Sequence, residues 1–154
     1  MEQYTFPLAV VMERLVLHNP WASHQWQAAS VMPDVFGSDT SERVLMAGDQ
    51  STRLLFPGLA LRLFRDETEN YYLNVSAAAP RVFVMWRMRD SRLSATAPVA
   101  RPEHATVSYG EAARWMDSNE TVDGVPMPAQ VFAWVGEYVE RYYRPEPKKI
   151  RRRT

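Results

Sequence analysis

Leu59-Ala60-Leu61-Arg62-Leu63-Phe64-Arg65, Tyr71-Tyr72-Leu73-Asn74-Val75-Ser76 and Val82-Phe83-Val84-Met85-Trp86-Arg87-Met88 are three apolar runs set close together in mid-chain. The first repeats Leu59, Leu61 and Leu63 at alternate positions, the second Tyr71, Leu73 and Val75, the third Val82, Val84 and Trp86. A period of two gathers each trio on one face of a strand, where it can be buried together. The connectors, Asp66–Asn70 and Ala77–Pro80, are short. Connections of that length join antiparallel neighbours, so the stretch predicts a three-stranded meander.

Outward toward the N-terminus, Leu8-Ala9-Val10-Val11-Met12 predicts a first strand that runs on to about Leu17. His18-Asn19-Pro20 is a turn signal, and a second strand from Trp21 to Met32 pairs back. Along that strand the face carrying Ala22, His24, Trp26 and Ala28 is expected inside, leaving Trp21, Ser23, Gln25 and Gln27 outside. Residues 33–50 are punctuated by Gly37 and Gly48 and predict a surface loop with a short strand at Arg43–Met46. Ser51–Phe56 predicts another strand, ended by Pro57-Gly58.

Outward toward the C-terminus, Ser94–Glu103 is small and proline-broken, which predicts an extended connector, with a closing strand at His104–Val107. Ser108 and Glu111 fit a capping box, so a helix is expected with Ala112, Trp115 and Met116 on one face. Thr121–Met127 predicts a turn around Asp123-Gly124. Pro128 suits a first helical position. Beyond it Val131, Trp134, Val135, Tyr138, Val139 and Tyr142 recur at steps of three and four, the stripe of an amphipathic helix. Pro145 and Pro147 end that helix.

The expected architecture is therefore α+β: a small antiparallel sheet or barrel of six to seven strands, two C-terminal helices, and a disordered basic tail. Residues 1–144 form the domain and 145–154 the tail. At 154 residues, 46% hydrophobic and 23% charged, the chain is long enough for one core and ordinary in composition. Formal net charge is zero, but Arg144, Lys148, Lys149, Arg151, Arg152 and Arg153 crowd one end against Glu146 alone. The body is correspondingly acidic, and the neutral total hides a sign asymmetry: a polybasic tail of this kind docks on acidic proteins or anionic lipid as well as on nucleic acid.

Several chemistries lack their residues. There is no cysteine, which removes disulfides, thiolate metal sites and thiol nucleophiles. No two glycines are spaced for a Walker or dinucleotide loop, and no Gly-x-Ser-x-Gly elbow occurs. His18, His24 and His104 fall on separate segments and predict no metal site. Asp66, Glu67 and Glu69 predict a solvated turn. Met1-Glu2-Gln3-Tyr4 opens with an acid, Leu8–Met12 is too short for a signal core, and no run approaches the roughly 20 apolar residues of a membrane helix. A cytoplasmic protein without catalytic residues, metal or cofactor is expected.

Whole phrases add a context: Val10-Val11-Met12-Glu13-Arg14, Trp21-Ala22-Ser23-His24-Gln25-Trp26, Tyr71-Tyr72-Leu73-Asn74, Val82-Phe83-Val84-Met85-Trp86-Arg87, Val107-Ser108-Tyr109-Gly110-Glu111-Ala112-Ala113-Arg114, Val122-Asp123-Gly124-Val125-Pro126-Met127-Pro128 and Tyr143-Arg144-Pro145-Glu146-Pro147-Lys148-Lys149. In this order they resemble a proteobacterial domain-of-unknown-function family encoded near formate dehydrogenase and molybdenum-cofactor genes. Some of its members are labelled molybdopterin-guanine dinucleotide biosynthesis proteins. The resemblance implies an accessory or maturation role beside a molybdenum-dependent formate dehydrogenase, through contact with one of its subunits or maturation factors. Trp21, Gln25, Tyr72, Arg87, Lys148, Lys149, Arg151, Arg152 and Arg153 are the candidate partner-binding residues. Exposed aromatics beside a basic tail leave nucleic-acid binding as the alternative, by base stacking and phosphate contact.

Overall fold

The computed structural model describes residues 4–145, in seven strands and three helices. Strands β1 (Thr5–Val16), β2 (His24–Pro33), β3 (Arg43–Ala47) and β4 (Ser51–Arg62) form one sheet in the order β2-β1-β4-β3. Strands β5 (Arg81–Ser91), β6 (Ser94–Thr106) and β7 (Thr121–Pro126) form a second, in the order β6-β5-β7. Every pairing is antiparallel. A 3₁₀ turn at Arg65–Glu67 and helix α1 (Thr68–Val75) join β4 to β5, helix α2 (Tyr109–Asp117) joins β6 to β7, and helix α3 (Ala129–Tyr142) follows β7. Among the described residues no helix is long and apolar enough to cross a membrane.

One core serves both sheets. Leu8, Val10, Met12 and Leu61 from the first meet Val82, Val84 and Val125 from the second, and Val131, Val135 and Tyr138 of α3 close it. β4 runs beside β6 and β2 beside β7, but neither pair is hydrogen-bonded into a ladder. The arrangement is two sheets and not the closed barrel that was one expectation. Nor do the helices stand together at the C-terminus, since α1 interrupts the strands. The expected disordered tail at 145–154 lies, beyond Pro145, outside the described residues.

The expected meander is corrected in its middle. Leu59, Leu61 and Leu63 do line one face of a chain paired with β1, and Val82, Val84 and Trp86 one face of β5. Tyr71–Ser76, however, belongs to α1 and its C-cap. Buried Thr68, Tyr71 and Asn74 are three apart, a helical face, and Leu73, counted in the alternating trio, is exposed. Asn74 holds the helix to the second sheet. Its Nδ2 donates to the carbonyls of Arg81 (2.7 Å) and Val107 (2.9 Å), and its Oδ1 accepts the Arg81 N–H at 2.9 Å. A buried amide needs such partners, and no apolar period registers them.

Four further segments depart from expectation. Ser94–Glu103 is strand, not connector: β6 is a sheet edge, where Pro98 and Pro102 are tolerated because a missing N–H there breaks no ladder. Thr121–Met127 is mostly strand β7 and not a turn. Pro57-Gly58 does not end its strand, for both residues stand opposite Ala9 as a bulge, with Gly58 at φ +90°. Trp21 precedes β2 in a turn where Asn19 Oδ1 accepts the N–H groups of Trp21 and Ala22 at 3.0 and 2.9 Å. On β2 only Trp26 and Ala28 of the expected inner face turn inward; Ala22 and His24 are exposed. β3 forms where expected, as a short edge carrying one extra residue, Leu45, opposite β4.

Candidate functional site

The site grows from an asymmetry in β4. Its first half is paired on both sides, Thr52–Leu55 with β3 as well as with β1. Its second half, from Leu59 to Arg62, has β1 on one side only. In an antiparallel pair alternate residues turn their N–H and C=O toward the partner. The Leu63 N–H donates to the Tyr4 carbonyl at 3.0 Å, and the Pro7 carbonyl turns away from β4 to accept the Asp34 N–H at 3.0 Å. Pro7 stands opposite Ala60, so Ala60 and, two residues on, Arg62 direct their backbone groups away from β1.

Those groups face an open groove of ≈540 Å³. Its floor is Gly58–Arg62 with Phe64, one wall is Glu103–Ala105 of β6, and the other is Glu111 and Trp115 of α2. A second hollow of ≈290 Å³ shares Gly58, Leu59 and Glu103 and carries the groove on past Thr40 and Arg101. The walls are aromatic and charged. Phe64 is half exposed, and the His104 ring lies 6.1 Å from that of Trp115. Glu103 pairs with Arg89 at 2.7 Å and Arg101 approaches Glu42 at 3.5 Å, which neutralises two of the charges. Arg62 and Glu111, on opposite sides, stand in no ion pair among the described residues.

The capping box explains why Glu111 is available. Ser108 Oγ accepts the Glu111 N–H at 3.1 Å, as expected. The reciprocal bond is replaced: the Ser108 N–H goes to Thr106 Oγ1 at 3.0 Å. Ser108 Oγ in turn donates to Glu67 at 2.9 Å, where Asn70 Nδ2 (2.9 Å) and Arg114 also donate. Glu67, expected in a solvated turn, thus ties α1 to the start of α2 and holds the groove wall. Burial pushes its carboxyl upward, but the bonds from Arg114, Ser108 and Asn70 together keep it below the usual range.

The candidate partner-binding residues do not form one surface. Trp21 is 89% exposed at the β1–β2 turn, and Gln25 is exposed nearby on β2. Arg87 on β5 is held by both oxygens of Glu120, at 2.9 and 2.7 Å. Tyr72 on α1 stacks on Tyr143, with ring centroids 4.3 Å apart and planes 8° from parallel, so one face of each ring is covered. Lys148, Lys149, Arg151, Arg152 and Arg153 lie outside the described residues. Of the histidines, His18 bonds Gln50 (3.1 Å) and His24 bonds Ser23 (2.8 Å), away from His104. Among the described residues no three His, Asp or Glu side chains gather as metal ligands. The groove residues escaped the sequence reading because they come from three distant segments, whose local patterns, an alternating strand and a capping box, record burial and helix capping and not the opening between them.

Residues 7–153 match a family model described as a protein of unknown function, DUF3305. The chain belongs to that family. The DUF3305 match takes in the groove and also the basic residues Lys148–Arg153. Neither a curated protein nor a solved structure matches the chain.

Proposed function

We propose that the chain is a binding protein that receives an extended segment of a protein partner in the β4/β6/α2 groove, in the service of a molybdenum-dependent formate dehydrogenase. The observation that carries the binding part is the backbone of Ala60 and Arg62, directed away from β1 into a hollow with aromatic walls. An unpaired edge of this kind binds by strand addition: main-chain hydrogen bonds supply affinity, and flanking side chains select alternate residues of the guest. Leu59, Phe64 and Trp115 offer apolar contact, and Arg62 and Glu111 offer one charge of each sign. The formate dehydrogenase part is supported by the resemblance of the quoted phrases alone, and an accessory or maturation role follows from it.

Ala60→Pro tests the reading cleanly. Ala60 gives no N–H to β1, and an edge strand accepts proline, so the variant removes one groove-facing donor and leaves the β1–β4 ladder whole. The wild-type chain, tagged in its own cells, is expected to recover a formate dehydrogenase subunit or maturation factor, and Ala60→Pro to lose it at an unchanged melting temperature. Equal recovery by the variant removes the groove from the account. Unaltered formate dehydrogenase activity in a deletion strain removes the enzyme.

A further inference from the structure

The groove lies between two strands that run in the same direction. Phe56 and Pro57 of β4 line it with Arg101 and Pro102 of β6 at one end, and Ala60 and Arg62 with His104 and Ala105 at the other. Gly58, Leu59 and Glu103 belong to both hollows and lie between. The Arg101 guanidinium, 5.9 Å from the Phe56 ring, fixes the first end. Among the described residues β6 has β5 on one side and no ladder partner on the other.

Two strands of one sense can share a neighbour. A segment laid between them antiparallel to β4 is antiparallel to β6 as well, the stronger of the two kinds of pairing. β3 sets the precedent, since it pairs antiparallel with β4 on the same edge that Leu59–Arg62 leaves open. Side chains then give the guest an order. Leu59, Leu61 and Leu63 share the core-facing row, but Leu61 and Leu63 are buried and Leu59 only partly so. An apolar guest side chain opposite Leu59 completes that cover. Ala60 and Arg62 turn to the other face, where Arg62 is exposed. Glu103 is paired with Arg89, Arg101 approaches Glu42, and Glu111 acts on Arg114. Arg62 is therefore the groove charge set to meet a guest carboxylate. On an antiparallel guest, the residue opposite Arg62 comes three positions before the one opposite Leu59.

We infer that the partner segment carries an acidic residue three positions before a large apolar one and inserts antiparallel to both β4 and β6, joining the two sheets across the groove. This rests on the proposed strand-addition site and adds the guest's direction, its sequence pattern and a second pairing edge. The carboxylate meets Arg62, the apolar side chain covers Leu59, and the guest backbone bonds to β4 on one side and β6 on the other.

Two short, capped, threonine-rich peptides test this on the full chain. One carries a glutamate three residues before a leucine, and the other is the same sequence reversed. The first is expected to slow amide exchange at Ala60 and Arg62 and also at His104 and Ala105. It should bind about threefold tighter than the reversed peptide, a margin that one exposed ion pair supplies. Arg62→Glu is expected to abolish that margin and to favour a peptide with lysine in place of the glutamate. Equal or tighter binding of the reversed peptide overturns the direction. Slowing confined to β4 amides overturns insertion between the sheets, and failure of both peptides to bind overturns the inference whole. Partner capture is read separately through Ala60→Pro, so the strand-addition reading and the guest's pattern can each fail alone.

Discussion

Asp123 on β7 accepts the backbone N–H of Ala28 on β2 at 2.9 Å, one sheet reaching the other through a single carboxylate oxygen. The same Oδ2 takes Trp86 Nε1 at 2.8 Å. The β2/β7 seam is thereby clasped by a hydrogen bond, whereas the second half of β4 faces β6 across the groove.

Replacing the clasp is expected to be costly. Asp123→Ala leaves the Ala28 N–H and the Trp86 indole N–H without their acceptor in a partly buried place. Loss of two bonds to a charged group, at about 1.5–3 kcal/mol each with incomplete burial, predicts destabilisation of roughly 2–4 kcal/mol. Asp123→Asn keeps an acceptor oxygen of the same reach and is expected to lose less than half as much. Urea unfolding of the two variants decides this, and equal losses would refute the acceptor role.

Glu13 sits across three strands. It pairs in register with Gln27 and Arg53, accepting from Gln27 Nε2 at 3.0 Å and Arg53 Nε at 2.9 Å. The Arg53 bond, then the Gln27 bond, hold its carboxyl below the ordinary 4.5 against the opposing effect of burial. Because the folded value is depressed, the unfolded chain binds more protons below pH 4.5. Stability from this group is complete above that pH and falls as pH drops toward the folded value. Glu13→Gln is expected to cost about 1 kcal/mol at pH 7 and to show a shallower acid-side slope than wild type. Superimposable slopes from pH 5 to 3 would count against it.

At Gly58 the bulge admits no side chain. With φ at +90°, a Cβ would also stand 2.9 Å from Thr40 Cγ2. Gly58→Ala is expected to lose about 1–3 kcal/mol, and the lesion should be local, since the Gly58 N–H is fixed to Asp34 Oδ2 at 2.8 Å. Hydrogen exchange of the backbone amide at position 58, faster in the variant than in the wild type while β5 amides are unchanged, checks both statements.

How much of this was legible depended on whether burial left a periodic trace. β1, the two ends of the central stretch, and α3 did leave one, because each buries a regular apolar face. Tyr71–Ser76 left a false one. Tyr71, Leu73 and Val75 alternate, yet the inward residue between them is Asn74, turned in by three hydrogen bonds to distant backbone. Asp123-Gly124 looked like a turn because its Asp bridges sheets and its Gly lets Phe83 approach: a Cβ there would lie 3.3 Å from the ring. The groove was illegible for another reason. Its defining property is a set of backbone groups with no second ladder partner among the described residues, and side-chain letters do not record that.

The first sheet's outer boundary, β3, bears on behaviour at high concentration. Val44, Leu45 and Met46 are about half exposed there, an inviting rim for another molecule. Leu45, however, is surplus to the spacing, so two such rims brought side by side meet with donors and acceptors out of step. Crowded solutions of this protein should therefore resist zipping into fibrils from that margin, stickiness and all.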